Sequence, residues 1–219
     1  MVKINNMKKK AVIFGAGTYG QVYSKYLEEY YEILGFIDDN DLLKGTDIGG
    51  YSVLGNINYL FNALTKDIAV FVPIGNNSVR VNLLSKIESE GFEIPSFIHE
   101  SVLLDPTVEL GKAIYILPSS NVMPFTKIQD YTMISMGVNI AHHVTVEKGC
   151  FFSQGVNIGA SIYIKEFSYF GIGSTVMTGV SSIGKNTLIG AGTLIIKDVP
   201  NEVVMIGNPG RILRNNKTH

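Results

Sequence analysis

From Leu104 onward an aliphatic residue or Phe returns at every sixth position: Leu104, Leu110, Ile116, Val122, Ile128, Ile134, Ile140, Val146, Phe152, Ile158, Ile164, Phe170 and Val176. One extra residue intrudes around Ser181 and Ser182, after which Ile183, Ile189 and Ile195 resume the step. Four places after each of these runs a second series of small or β-branched residues, among them Ser120, Thr126, Val138, Val144, Cys150 and Val156. A helix returns its face about every 3.6 residues and a strand every two, so neither uses a strict period of six. A coil with three flat faces does. Each of the sixteen hexads then supplies one short strand and a corner, and three hexads bring the chain round once. The stack amounts to about five coils, burying the large residue at a corner and the small one beside it.

Residues 1–100 follow another rhythm. Short apolar runs alternate with helical stretches: "AVIFGAG", a helix through "QVYSKYLEEYY", "EILGFIDDN", then "IAVFVPIGNN", a helix through "VRVNLLSKIESEG", and "IPSFIH" closing the set. That order predicts an α/β Rossmann-like parallel sheet domain over 1–100. The hexads predict a parallel β-helix with a C-terminal tail over 101–219.

Composition narrows the partners. With 219 residues, 46% hydrophobic and 17% charged, and a formal net charge of -1, the chain offers no broad basic field for nucleic acid or anionic lipid. Small molecules or further copies of the chain are the expected partners. The lone Cys150 excludes a disulfide framework and suits a reducing compartment, so a cytoplasmic location is expected. The lysine-led start imitates a secretory signal, but its apolar run, Ala11 to Phe14, is too short. No stretch approaches the roughly 20 apolar residues of a membrane span, so no membrane insertion is expected.

The chemistry-bearing residues fall in both halves. "GAGTYG" puts Gly15, Gly17 and Gly20 in GxGxxG spacing straight after a strand, with Tyr19 inside the motif. Glycines there let backbone approach a phosphate at the positive end of a helix. Asp38 and Asp39 follow eighteen and nineteen residues beyond Gly20, where an acid can hold a ribose hydroxyl or a base N–H. The same glycines suit a plain strand-to-helix turn with no ligand. About 100 residues give only the first half of a doubly wound fold, which favours a nucleotide sugar over a nicotinamide cofactor. "GNNSVR" places Gly75, Asn76, Asn77 and Arg80 on the same rim, though a plain helix cap by Asn77 or Ser78 explains the segment equally.

In the hexads, His142 and His143 stand side by side between inward Ile140 and Val144. A prism interior has no room for two imidazoles, so at least one projects outward, and strand parity alone does not say which. Neutral imidazole is suited to take a proton near neutral pH. Adjacent histidines diverge, His99 precedes the repeat and His219 is the last residue, so no metal site is expected. Cys150 belongs to the small inward series and is expected in the core.

The combination of "VIFGAGTYG", "FIDDN", "PIGNNSVR", "NIAHHV" within the hexads and the terminal "IGNPGRIL" resembles the bacterial sugar acyltransferases of the sialic acid O-acetyltransferase type, over nearly the whole chain. That family includes enzymes that N-acetylate nucleotide-linked 4-amino-4,6-dideoxy sugars for surface glycans. The resemblance implies a left-handed β-helix, although general crossover rules favour the opposite hand. It implies that the first domain holds the nucleotide sugar, the prism holds acetyl-CoA, and active sites lie between subunits of a homotrimer. It makes His142 the general base. Gly15, Gly17, Tyr19, Asp38, Asp39, Gly75, Asn76 and Arg80 would line the nucleotide-sugar pocket. Ala160, Gly171, Ile172, Gly173, Ala191, Gly192, Pro209 and Arg211 would meet acetyl-CoA, Arg211 through a CoA phosphate. The family commonly follows its histidine with Glu or Asp; here that place is His143, so either Glu147, a neighbouring subunit's carboxylate or no carboxylate supports the base. A thioester is already activated, so direct attack without a covalent enzyme intermediate is expected. The alternatives are O-acetylation of a sialic-acid-like sugar and a non-catalytic prism that binds a nucleotide sugar and assembles partners.

Overall fold

The computed structural model describes residues 8–216, so Met1 to Met7 and Lys217 to His219 lie outside the described residues. Ala11, Val12 and Ile13, fully buried, form the middle of strand β1 (Lys9–Phe14). The chain continues through α1 (Thr18–Leu27), β2 (Tyr31–Ile37), β3 (Asp47–Ile48), β4 (Tyr51–Gly55), α2 (Ile57–Ala63), β5 (Ala69–Phe71) and α3 (Asn77–Ser89). The sheet order is β3-β4-β2-β1-β5. All pairings are parallel except the β3–β4 hairpin. Strands buried on both faces read as continuous apolar runs, which is why β1 and β5 stand out in the sequence. Tyr23, Leu27, Leu84 and Ile87 of the helices are buried with them. The tight entry into α1 requires Gly20, because a Cβ there would lie 1.9 Å from the Gly15 carbonyl oxygen.

Two expectations for this part are corrected. The run "IPSFIH" does not close the sheet: Phe97–Ile98 pairs in parallel with Tyr115–Ile116, inside the hexad region. Backbone division accordingly falls between Pro95 and Ser96. The edge beyond β5 carries instead a bridge from Ala69 to Glu93. Helix α1 also stops at Leu27, before the "EEYY" of the expected stretch, since Tyr31 already enters β2.

The second unit, from Ser96, consists of two-residue strands, apart from the longer Val203–Ile206 and Arg211–Asn215, in three sheets of six, five and eight strands that are parallel except for Arg211–Asn215, the antiparallel edge of the last. Each strand pairs with the one three hexads away, as in Asn121↔Asn139↔Asn157. The offset is 18 residues until the inserted residue raises it to 19, as in Thr175↔Leu194. The insertion sits in a corner, where Thr178 bridges Val180 across Gly179. Ile116, Val122, Ile128, Ile134, Ile140 and the rest of that series are buried in one continuous core, with Cys150 among them. Leu104, Val108 and Leu110 of the first coil are only partly buried against it. The aliphatic residue ends each strand on a face, and the corner turn separates it from its small partner; it does not itself occupy the corner. Among the described residues no helix is long and apolar enough to cross a membrane.

Candidate active site

The site begins with how a hexad turns its corner. The third corner residue adopts a left-handed backbone, with φ 62° at Phe125, 56° at His143 and 60° at Ser161. Because the rungs here repeat every 18 residues, Pro124, His142 and Ala160 form one column and Phe125, His143 and Ser161 the next. The His143 N–H donates to the Pro124 carbonyl at 3.2 Å, and the Ser161 N–H to the His142 carbonyl at 3.0 Å. Neither histidine lies on a flat face. Both are central residues of a corner turn, and both side chains are exposed. Strand parity could not place them because the strand ends at Ile140.

The two rings touch. His142 Nδ1 and His143 Nδ1 are 3.0 Å apart, with ring planes perpendicular and centroids at 5.1 Å. One nitrogen must donate and the other accept, so the tautomers of the two rings are coupled. The Phe125 ring lies 4.9 Å from that of His143, tilted by 45°. Glu147 is engaged on the next corner of the prism, where its oxygens accept from the Tyr163 hydroxyl at 2.5 Å and the Glu166 N–H at 2.9 Å. The first of these bonds raises the Tyr163 hydroxyl above its ordinary range.

Backbone donors complete this corner. The ladder uses the N–H of the first corner residue, as in Ala141 to Ile158, and of the third, as in Ser161 to His142. The N–H of the second points elsewhere. At Ala160, one coil beyond His142, it donates to Thr178 Oγ1 over 3.3 Å, a long bond to an exposed hydroxyl that a ligand oxygen can replace.

The residues expected to meet acetyl-CoA separate into three places. Ala160 shares the histidine corner. Gly171, Ile172, Gly173, Ala191 and Gly192 occupy two successive coils at a different corner, across the face carrying Asn121, Asn139 and Asn157. Packing accounts for Gly171, where a Cβ would lie 2.6 Å from the Ala191 nitrogen. Gly173 and Gly192 occupy the left-handed corner position, with φ 63° and 65°. Pro209 and Arg211 line a third place, a cavity of about 320 Å³ past the last full coil, together with Lys197, Ile195 and Met205. Asp198 is also on its wall, but one of its oxygens accepts the Ser181 and Ser182 N–H groups. Two cations over an apolar floor fit a phosphate joined to a flat ring. Sequence reasoning missed Phe125, Thr178 and Lys197; a step of eighteen would have placed Phe125 beside His143.

In the first unit the expected pocket residues are held by structural bonds. The Asp38 carboxylate accepts the Ala16 N–H at 2.9 Å and the Asn40 N–H at 2.9 Å, tying the glycine turn to the end of β2. Asp39 accepts the Ile57 N–H at 3.0 Å, and Asn76 caps α3 through the Val79 N–H at 3.0 Å. Gly17, between Gly15 and Tyr19, caps α1 without a side-chain bond, and no acid stands in that first turn. Gly75 lies on the loop before α3. Arg80, expected on the pocket wall, is instead fully buried behind this loop, donating to the Ile74 carbonyl at 2.7 Å and to Asn77 Oδ1 at 2.9 Å. A guanidinium has the reach and the donors to satisfy such a loop from beneath. Among the described residues no group of three or more His, Cys, Asp or Glu converges as a metal site.

Comparison with known proteins gives a consistent set of relatives. Residues 10–87 match the PglD N-terminal domain. The chain is 27% identical to GDP-perosamine N-acetyltransferase of Escherichia coli O157:H7, over 94% of this chain and 97% of that one. PerB from Caulobacter crescentus, solved in complex with CoA and GDP-perosamine, is 26% identical and superposes with a TM-score of 0.86 over 93% of this chain and 96% of that one. The perosamine N-acetyltransferase of the same organism, solved with a histidine replaced by asparagine and again with CoA and GDP-perosamine, is 25% identical with a TM-score of 0.85 over the same shares.

Proposed function

Because this chain is similar, over nearly its whole length, to bacterial sugar acetyltransferases that join a Rossmann-like domain to a hexapeptide-repeat β-helix, we propose that it transfers the acetyl group of acetyl-CoA to the amine of a nucleotide-linked amino sugar, such as a 4-amino-4,6-dideoxy sugar. The observation that carries this reading is the exposed imidazole of His142 on a corner whose next coil presents the Ala160 N–H. The relatives that hold CoA and GDP-perosamine support the choice of both substrates.

In this mechanism the amine lone pair attacks the thioester carbonyl while its proton passes to Nε2 of His142. The Ala160 N–H donates to the oxygen that gains charge in the tetrahedral intermediate. The carbon–sulfur bond then breaks, and the proton moves from His142 to the departing thiolate, returning the ring to neutrality. No covalent enzyme intermediate is needed. The nucleotide is held by the rim of the first unit, with its phosphates at the open start of α1 beside Gly15, Gly17 and Tyr19. Asp38, Asp39, Gly75 and Asn76 shape the loops around it, and Arg80 supports them from behind.

Acetyl-CoA meets Pro209, Arg211 and Lys197 at one end and the Gly171 to Gly173 and Ala191 to Gly192 corner along its length. That corner and the histidine corner are different edges of one prism, so we place the complete site in a homotrimer, where one copy's glycine edge meets another's histidine edge. Exposed Met123, Met177 and Ile172 on these edges suit burial between copies.

The test is CoA release by the purified full chain with acetyl-CoA and a panel of acceptors. Release with UDP-, GDP- or dTDP-linked 4-amino sugars, and none with their N-acetylated forms, is the expected result. Release with free sialic acid alone, or silence despite nucleotide binding, would overturn the proposal.

A further inference from the structure

In a carboxylate-supported base, a negative acceptor holds one ring nitrogen protonated and leaves the other bare. This chain offers the base an imidazole instead, and that changes what the supporting residue must do. Glu147 is already engaged by Tyr163 and Glu166 at another corner. The group in contact with His142 is His143, through nitrogens of the same kind 3.0 Å apart.

We propose that His143 is a positioning residue that selects the reactive tautomer of His142, an inference that rests on His142 being the base. His143 Nδ1 accepts the Nδ1–H of His142, which leaves His142 Nε2 unprotonated toward the acceptor amine. The reverse assignment would put a proton on His142 Nε2 and remove the base. During transfer the amine proton enters at Nε2, the Nδ1–H stays bonded to His143, and the Nε2 proton leaves with the thiolate, so the pair ends as it began.

Asymmetry around the pair fixes which ring supports and which reacts. His143 occupies the left-handed corner position, its N–H tied to Pro124 and its ring lying against Phe125 on the preceding coil. His142 stands in the column of Ala160, whose side chain is a single methyl and whose N–H, bonded to Thr178 Oγ1 over 3.3 Å, is the oxyanion donor of the mechanism above. One ring is thus braced and the other stands in the column of that donor.

The experiment compares wild type with His143→Gly and His143→Asn as full chains, reading the His142 tautomer by 15N NMR at about pH 8, where imidazole is ordinarily neutral. Glycine suits the left-handed backbone, as Gly137, Gly149 and Gly155 do at the equivalent corners, so its loss of the acceptor is not confounded by strain. Asparagine tolerates that backbone and supplies Oδ1 as an acceptor. Wild type and His143→Asn are expected to carry the proton on His142 Nδ1, and His143→Gly on Nε2. In steady state, kcat of His143→Gly falls about tenfold or more with KM for acetyl-CoA unchanged, and His143→Asn recovers to within about threefold. A tautomer that is the same in wild type and His143→Gly, or a wild-type His142 protonated on Nε2, overturns the proposal. The spectra read the coupling without turnover. Expected spectra from a protein that acetylates no amino sugar would leave the coupling standing and sink the acetyltransfer reading; unchanged spectra and kcat in an active enzyme would do the reverse.

Discussion

The two units differ in how much of the folding each functional residue does. On the rim of the first unit, Asp38, Asp39, Asn76 and Arg80 all hold backbone: two loops, two helix starts and a half-buried carbonyl depend on them. On the corners of the second, His142 and His143 are exposed, and the ladder that passes through them uses only their backbone groups. A repeating prism carries its stability in inward residues that recur every six positions, which frees the corners for chemistry. In the sheet domain a loop must be built before it can bind, so binding and folding share side chains. Substitutions should therefore be cleanly interpretable in the second unit and mixed in the first.

Several changes sharpen or break that contrast. The largest loss of stability is expected from Phe152→Ala, which removes a buried ring stacked 4.7 Å from Phe170 and should cost about 3–5 kcal/mol in denaturant unfolding. Arg80→Met should cost about 1–3 kcal/mol, because the Ile74 carbonyl and the Asn77 amide lose donors, and nucleotide affinity should fall with it although the side chain is buried. An Arg80→Met protein with native stability and lost binding would mean direct ligand contact, and the contrast would fail there. Asp38→Asn should cost about 1–2 kcal/mol through the bonds to Ala16 and Asn40, with weaker nucleotide binding measured by calorimetry. Asn139→Ala, which breaks an exposed amide bond to Asn157, should move stability by less than about 0.5 kcal/mol.

How far the sequence revealed this depends on what each pattern must satisfy. The period of six is visible because every hexad points two side chains into a narrow core, one large and apolar and one small, the small one tolerating a hydroxyl where, as at Ser120 and Thr126, it donates to a backbone carbonyl. The GxGxxG turn and the following acids were visible as spacing, but Asp38 contributes first by tying down Ala16, a local bond that spacing does not distinguish from ligand binding. Arg80 reads as a residue of the ligand-binding rim because its actual acceptors are a backbone carbonyl and an amide, which carry no charge pattern. "IPSFIH" read as a sheet strand since a two-residue strand carries no mark of its partner. The direction of the histidines was hidden because left-handed corner residues break the alternation of a strand. Phe125 was legible only at the step of eighteen, where three hexads return the chain to the same corner.

The measurement closest to the central claim pairs turnover with stability for His142→Ala, using acetyl-CoA and a nucleotide-linked amino sugar. Loss of about 10²-fold or more in kcat, with the melting temperature and acetyl-CoA affinity unchanged, is the predicted result for a base carried on a structurally idle corner. Full activity would contradict it by removing His142 from the chemistry, and a collapse of the melting temperature would contradict it by making the corner part of the scaffold.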